Sequence, residues 1–347
     1  MNSSMRLDET TQITCHSPES LDTIRPAIVR QIACYGYCIV KMWSNSTSLL
    51  VWLRAQLGKG QLHVRANSQG LVSVTHNPLE EKKGIDLSKH FSVRTCEHPA
   101  HTDGAYLNGF VVGEGYAQRI GPPSIVLLQC VQPAEKGGES IIIDAQKILE
   151  DLLKHNPAVA EILATPGCVT FCRDDQIAFN SAIFEAISHN RYRIRFRCDH
   201  ALHVASSRVH EAVQYFRNHY LDNHKYRTTV ALESRQILIL DNLRVLHGRK
   251  GFSDSKLGFK RFLRRTWVVD STLPAAPKSF IAADRNDHRV FKRFEPYAAI
   301  QHDRDFLLSP LELGIRLPGN LQAILQSSFP YPFAYGELEN QKNFKYE

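Results

Sequence analysis

The chain has no apolar run long enough to span a bilayer, and its first twenty residues lack the apolar core of a secretion signal. It has no Cys-x2-Cys pair either. Its 8 cysteines (Cys15, Cys34, Cys38, Cys96, Cys130, Cys168, Cys172 and Cys198) are scattered, which excludes a thiolate zinc finger. Cys34, Cys38, Cys168 and Cys172 sit among apolar residues, where a thiol acts as a small hydrophobe. Lys and Arg number 42 against 35 Asp and Glu, but there is no block of five or six basic residues and no aromatic interleaving. The basic surplus therefore reads as a solvated surface and not as a nucleic-acid footprint. The glycine-rich stretch 108–123 is not followed by Gly-Lys-Ser/Thr, so it is no phosphate loop, and no internal repeat is present. These absences leave a cytoplasmic globular protein with reduced thiols, acting on a small molecule, with no membrane or nucleic-acid partner.

What is present is a chain of 347 residues with ordinary apolar and charged content, enough for one large core. Helical spacing of apolar residues predicts helices over 21–33, 46–57, 145–153, 158–164 and 209–221. Strands are predicted over 38–41, 124–131, 140–144, 191–197, 236–240 and 259–269, several rich in β-branched residues. In 191–197 the arginines at 191, 193, 195 and 197 alternate with Tyr192, Ile194 and Phe196, so they are expected to face water. Few strands are separated by helical crossovers. The expected fold is mainly β with α: a double-stranded β-helix, or jelly roll, with helices packed outside. We divide the chain into a polar tail (1–20), one domain (21–270) and a C-terminal extension (271–347) with a helix near 321–325. Two irregular stretches, 58–97 and 106–123, are expected at the pocket mouth. The extension is read as a pocket cover, a homo-oligomer contact or a docking segment.

The candidate chemistry lies in two distant stretches. His101 and Asp103 are two apart, so on an extended strand both side chains leave the same face. His247 follows Asp103 by 144 positions, after the apolar run 236–240. Two imidazoles and one carboxylate on one side of an ion leave the other side open, the arrangement of non-heme Fe(II) oxygenases, whereas a structural zinc site is closed. Such an iron needs electrons to use O2, and a keto acid can supply them by decarboxylation. The far carboxylate of that cosubstrate needs a planar cation. Arg261 and Arg265 lie on one face of the closing strand, one able to reach the distal carboxylate and the other nearer the metal, and Ser140 offers a hydroxyl.

Taken in order, His101-Thr102-Asp103, the turn Gly137-Gly138-Glu139-Ser140, the run 241–249 (Asp-Asn-Leu-Arg-Val-Leu-His-Gly-Arg) and Arg261-Phe262-Leu263-Arg264-Arg265 resemble the taurine dioxygenase and clavaminate synthase-like superfamily. Its members include γ-butyrobetaine hydroxylase and amino-acid hydroxylases. The resemblance covers about residues 20–270. It implies a jelly-roll dioxygenase that uses Fe(II), 2-oxoglutarate and O2. By the same resemblance His101, Asp103 and His247 hold iron, Arg265 pairs with the distal carboxylate of 2-oxoglutarate, Ser140 supports it, and Arg261 lies by the proximal carboxylate. Ser140 stands where the family usually has Thr, and no counterpart of the zinc-binding N-terminal domain of γ-butyrobetaine hydroxylase is present.

Asp103 excludes halogenase chemistry, in which a small residue makes room for chloride on iron. Hydroxylation of an unactivated C–H in a small polar, amino-acid-like or carboxylate substrate is the expected reaction, in specialised metabolism. Glu97, Tyr106, Asn108 and Arg173 are the candidate substrate contacts. Two alternatives stay open: a sulfonate or alkyl-sulfate dioxygenase of the same fold, and a non-catalytic sensor that binds metal and 2-oxoglutarate.

Overall fold

The computed structural model describes residues 12–17, 20–61, 63, 66–75, 94–107, 109–113, 116–173, 176–188, 191–199, 201–254 and 260–271. Most of the polar tail, part of the 58–97 stretch and the C-terminal extension lie outside the described residues.

Two sheets position the site. The larger runs β1 (Gln12–Thr14), β2 (Tyr37–Lys41), β17 (Gln236–Asp241), β8 (Ile125–Gln132), β20 (Phe262–Ser271) and β3 (Gly58–Gln61), with β4 (Val72–Thr75) also paired to β20. The smaller runs β16 (Arg227–Val230), β10 (Ser140–Asp144), β18 (Val245–Arg249) and β5 (His98–His101). Within these sheets every pairing except β1 with β2 is antiparallel. A three-stranded sheet of β12 (Gln176–Ser181), β11 (Val169–Arg173) and β15 (Leu202–Val204) lies beside them. Three hairpin-like pairs complete the set: β6 (Gly109–Gly113) with β7 (Tyr116–Ile120), β13 (Phe184–Ser188) with β14 (Arg191–Ile194), and β9 (Lys136–Gly137) with β19 (Phe252–Ser253).

The period of two along the central strands explains why they are buried on both faces. Leu238 and Leu240 of β17, with Tyr37 and Ile39 of β2 and Val126 of β8, join a core shared with Ile142 and Leu246 of the smaller sheet. The intervening Ile237, Ile239, Cys38, Val40 and Leu127 join a second core under two helices. These are α1 (Leu21–Tyr35), which offers Ile24, Ile28 and Ile32, and α2 (Thr47–Leu57), which offers Leu50, Leu53 and Leu57. Ser46 caps α2 by accepting the Ser48 N–H. Asp144 likewise caps α3 (Ala145–His155), which packs Ile148, Leu149 and Leu152 into the first core beside α4 (Pro157–Ala164) and α5 (Ser207–Phe216). Each such aliphatic burial is worth about 1.5–3 kcal/mol.

Three expectations change. The helix predicted over 209–221 is α5 followed by a π-helical turn, Arg217–Leu221. The 58–97 stretch, which lacks apolar alternation, contributes β3 and β4, because the long strand β20 supplies partners that local pattern does not reveal. The strand predicted over 191–197 ends at Ile194, and Arg195 and Arg197 are buried, 1% and 5% exposed, instead of facing water. Beyond Ile194 the chain leaves its hairpin and lies along residues 102–107, where backbone carbonyls and carboxylates receive the guanidiniums.

Candidate metal centre

Register brings the two histidines together. On β18, His247 lies directly opposite His101 of β5 on one side and Ile142 of β10 on the other. Opposed residues in an antiparallel pair have Cβ atoms about 4.5–5.5 Å apart, so the imidazoles must meet; their centroids are 4.4 Å apart. Gly248 makes the approach possible, because a Cβ there would stand 2.7 Å from the His98 carbonyl oxygen.

Asp103 is not on the strand. β5 ends at His101, and Asp103 opens a turn whose next residue, Gly104, has φ +66, a conformation that suits glycine. The carboxylate is aimed by clamps that sequence spacing does not show. Asn242 Oδ1 accepts the Asp103 N–H at 2.8 Å, and Asn242 Nδ2 donates to the carbonyls of Asp103 at 3.0 Å and Pro123 at 2.8 Å. Thr102, between the two ligand candidates, donates its N–H to Phe196 O at 2.8 Å and accepts the Phe196 N–H on Oγ1 at 3.0 Å.

One ligand atom from each of His101, Asp103 and His247 lies within 4.8 Å of the others, and all three residues are buried. His101 Nδ1 lies 2.8 Å from the Pro99 carbonyl. A carbonyl can only accept, so that nitrogen carries the proton and Nε2 is left with its lone pair, 3.6 Å from Asp103 Oδ1. His247 is neutral, its pKa pushed down to about 3 by burial and by His101. Its Nδ1 is buried without a hydrogen-bond partner among the described residues. Burial opposes ionisation of Asp103, but Arg265 and the two imidazoles overcome it and hold the carboxyl well below the usual range. Two imidazoles and one carboxylate that stays charged are a donor set that fits a divalent iron.

The arginines divide in an unexpected way. Arg265 Nη1 donates to both oxygens of Asp103, at 2.9 and 3.1 Å, and Trp267 Nε1 donates to Oδ2 at 2.8 Å. Arg265 and Trp267 share a face of β20, so the period of two delivers both to one carboxylate. Arg261 stands just before β20, whose register shifts between Phe262 and Leu263, and so outside the strand on which it was expected. Its Nε stands 3.1 Å from where a Cβ on Gly138 would be. Arg261 is buried, packs over Phe252 at 5.4 Å, and forms no side-chain ion pair among the described residues. Arg249 stacks over the same ring at 4.7 Å and donates to the carbonyls of Arg94 and Cys96, each at 2.6 Å. Burial, and for Arg249 the neighbouring Arg261, lowers these guanidiniums to about 10 for Arg261 and about 9 for Arg249. Ser140, buried, lies opposite Arg249 in the β10–β18 register. Two close guanidiniums beside a hydroxyl make an oxyanion pocket.

Among the candidate substrate contacts, Tyr106 is buried, with its ring 5.9 Å from the Arg197 guanidinium carbon. Glu97 is exposed at the foot of β5. Asn108 lies outside the described residues, as does the side chain of Arg173 at the end of β11. Spacing alone did not single out Asn242, Trp267, Arg249 or Arg197. Asn242 and Arg249 stand inside the 241–249 motif, and Trp267 is two residues past Arg265, so their proximity to motif residues was the available signal.

The donor set and its setting between two sheets are those of a non-heme iron oxygenase. Residues 9–267 match the family described as taurine catabolism dioxygenase TauD, TfdA family, and the chain belongs to that family. It is an Fe(II)- and 2-oxoglutarate-dependent dioxygenase. A uridine-5'-phosphate dioxygenase from Streptomyces sp is 26% identical over 251 residues, covering 67% of this chain and 86% of that protein. Human gamma-butyrobetaine dioxygenase is 27% identical over 144 residues, 38% of this chain and 37% of the relative. The crystal structure of an asparagine oxygenase in complex with Fe(II), 2S,3S-3-hydroxyasparagine and succinate superposes with a TM-score of 0.56 at 15% identity, over 72% of this chain and 79% of that one. No helix among the described residues is long and apolar enough to cross a membrane.

Proposed function

We propose that the chain hydroxylates an unactivated C–H of a small polar, amino-acid-like or carboxylate substrate while 2-oxoglutarate is converted to succinate and CO2, and that its two facing sheets form a jelly roll around the site. The observation that carries the reading is the convergence of His101, Asp103 and His247 next to buried guanidiniums. These three residues are the proposed iron ligands. Iron, when bound with 2-oxoglutarate and O2, supplies the oxidation.

The chain's own residues do the rest. The Pro99 carbonyl fixes the His101 tautomer, Asn242 holds the Asp103 backbone, and Trp267 holds one carboxylate oxygen. The family resemblance assigns the distal carboxylate of 2-oxoglutarate to Arg265. Its two hydrogen bonds to Asp103 favour the opposite division. Arg261, whose guanidinium makes no side-chain ion pair among the described residues, takes the distal group together with Ser140 and Arg249, and Arg265 stays at the metal end. Tyr106 is the substrate contact best supported by burial; Glu97, exposed, has no comparable support.

The test is a screen of amino acids, carboxylates and nucleotides for compounds that stimulate succinate release, followed by mass spectrometry for one added oxygen. Sulfite or sulfate release from a sulfonate or alkyl sulfate would replace hydroxylation as the reading. Binding of Fe(II) and 2-oxoglutarate with no succinate from any compound would leave only a sensor.

A further inference from the structure

Arg197 belongs to none of the groups assigned so far, yet its position is informative. The hydrogen bonds between Phe196 and Thr102 lay residues 195–197 along residues 101–103. Phe196 turns into the apolar core, edge-on to Phe216 at 5.2 Å, so the alternation sends Arg195 and Arg197 to the opposite side. Arg195 is engaged with the carbonyls of Ala105 and Leu107 and with Glu185. Among the described residues Arg197 is engaged on one edge: its Nε and Nη2 donate to Asp199 Oδ2 at 3.0 and 2.5 Å, and no described residue accepts from Nη1, which lies on the side of Tyr106. The guanidinium stays charged, because Asp199 outweighs the effect of burial, and it acts electrostatically on Asp103, His98 and His247.

Charge points the same way. Around the site stand the buried or half-buried guanidiniums of Arg197, Arg249, Arg261 and Arg265, against the carboxylates of Asp103, Asp199 and Asp254 among the described residues. The two carboxylates of 2-oxoglutarate exceed that surplus by one charge, and a divalent iron makes the balance positive again. A pocket left positive and poor in water favours an anionic occupant.

We propose that Arg197, oriented by Asp199, anchors an oxyanion on the substrate, a carboxylate or a phosphate ester, beside the metal triad. The guanidinium is held on one edge so that the other is presented without rotamer cost, in the geometry that grips two oxygens of such a group. This inference rests on the proposed function for its substrate but not for the presence of the anion site.

The test uses the full chain loaded anaerobically with Fe(II) and 2-oxoglutarate, and follows perturbation of the metal-to-ligand absorption band. Two pairs of probes separate the sources of the oxyanion: uridine-5'-phosphate against uridine, and L-arginine against agmatine, which lacks the carboxylate. In parallel, inorganic phosphate is titrated against the metal-free protein by thermal shift. The proposal expects the members that carry the acid group to bind better than the partners that lack it. Arg197→Gln should weaken acid-probe and phosphate binding by about tenfold or more, the range for a lost charge-assisted hydrogen bond. Arg197→Lys should fall between, and both variants should retain the Fe(II)–2-oxoglutarate band. Asp199→Asn should keep or tighten oxyanion binding, whereas a purely structural ion pair predicts that it behaves like Arg197→Gln. Equal binding of probes with and without the acid group, equal binding by wild type and Arg197→Gln, or a wild type that ignores phosphate and both acid probes would overturn the assignment. A wild type with no Fe(II)–2-oxoglutarate band overturns the oxygenase reading instead, and the metal-free phosphate titration still judges Arg197.

Discussion

Single side chains at this centre are held by partners that do not themselves touch the ion, and those partners are where substitution is most informative. Asp103→Ala and His247→Ala are each expected to abolish substrate-dependent succinate formation, and full activity in either would remove the proposed ligand set. Arg261→Gln is expected to weaken 2-oxoglutarate about ten- to a hundredfold, the cost of losing hydrogen bonds to a charged group. Arg265→Gln should mainly weaken Fe(II), because its partner is Asp103. Titrations of each variant with cosubstrate and metal separate the two, and the reverse pattern would restore the division that the resemblance implied. Asp241 gives a pH test. Burial pushes its carboxyl up to about 6, so the folded chain binds its proton more tightly than the unfolded chain does. That contribution to stability is fully present below about pH 4 and is lost as pH rises through about 6. Asp241→Asn keeps an acceptor for the Leu243 N–H and should flatten the dependence of melting temperature on pH in that window. An unchanged slope would contradict the account.

Between elements, one register decides the site: His247 opposite His101, flanked by a glycine that lets β5 close on β18. Gly248→Ala places a Cβ 2.7 Å from a backbone oxygen and should cost about 1–3 kcal/mol in stability, with weakened Fe(II) binding, as overpacking does. Chemical denaturation with a parallel metal titration checks both, and a neutral effect would mean that the strands yield. At this scale the limits of the sequence become visible. Apolar runs rich in β-branched residues were enough to place β2, β8 and β17, and helical spacing the helices above them, since their own residues carry the pattern. Alternation also put Arg265 and Trp267 on one face. It could not show that Trp267 and Asn242 grip Asp103, or that Arg195 and Arg197 turn inward, because these contacts depend on strands and loops 90 or more residues apart. Nor could spacing choose between Arg261 and Arg265: it put both on one face of the closing strand, whereas β20 begins at Phe262 and shifts register between Phe262 and Leu263, so Arg261 stands outside it.

Over the whole molecule, buried guanidiniums outnumber buried carboxylates among the described residues, which suits a dianionic cosubstrate. Cosubstrate binding should therefore stabilise the fold. Fe(II) with 2-oxoglutarate at about a hundred times its dissociation constant should add about 2.7 kcal/mol, seen as a melting temperature higher by several degrees. His247→Ala should lose most of that shift. The central claim, that three side chains drawn from distant parts of the chain share one iron, is tested most directly by anaerobic optical titration of wild type, His101→Ala, Asp103→Ala and His247→Ala with Fe(II) in the presence of 2-oxoglutarate. The account predicts one iron per chain and a metal-to-ligand band in the wild type, with the band lost or its affinity sharply reduced in all three variants. A band of wild-type strength and affinity in any one of them would contradict it.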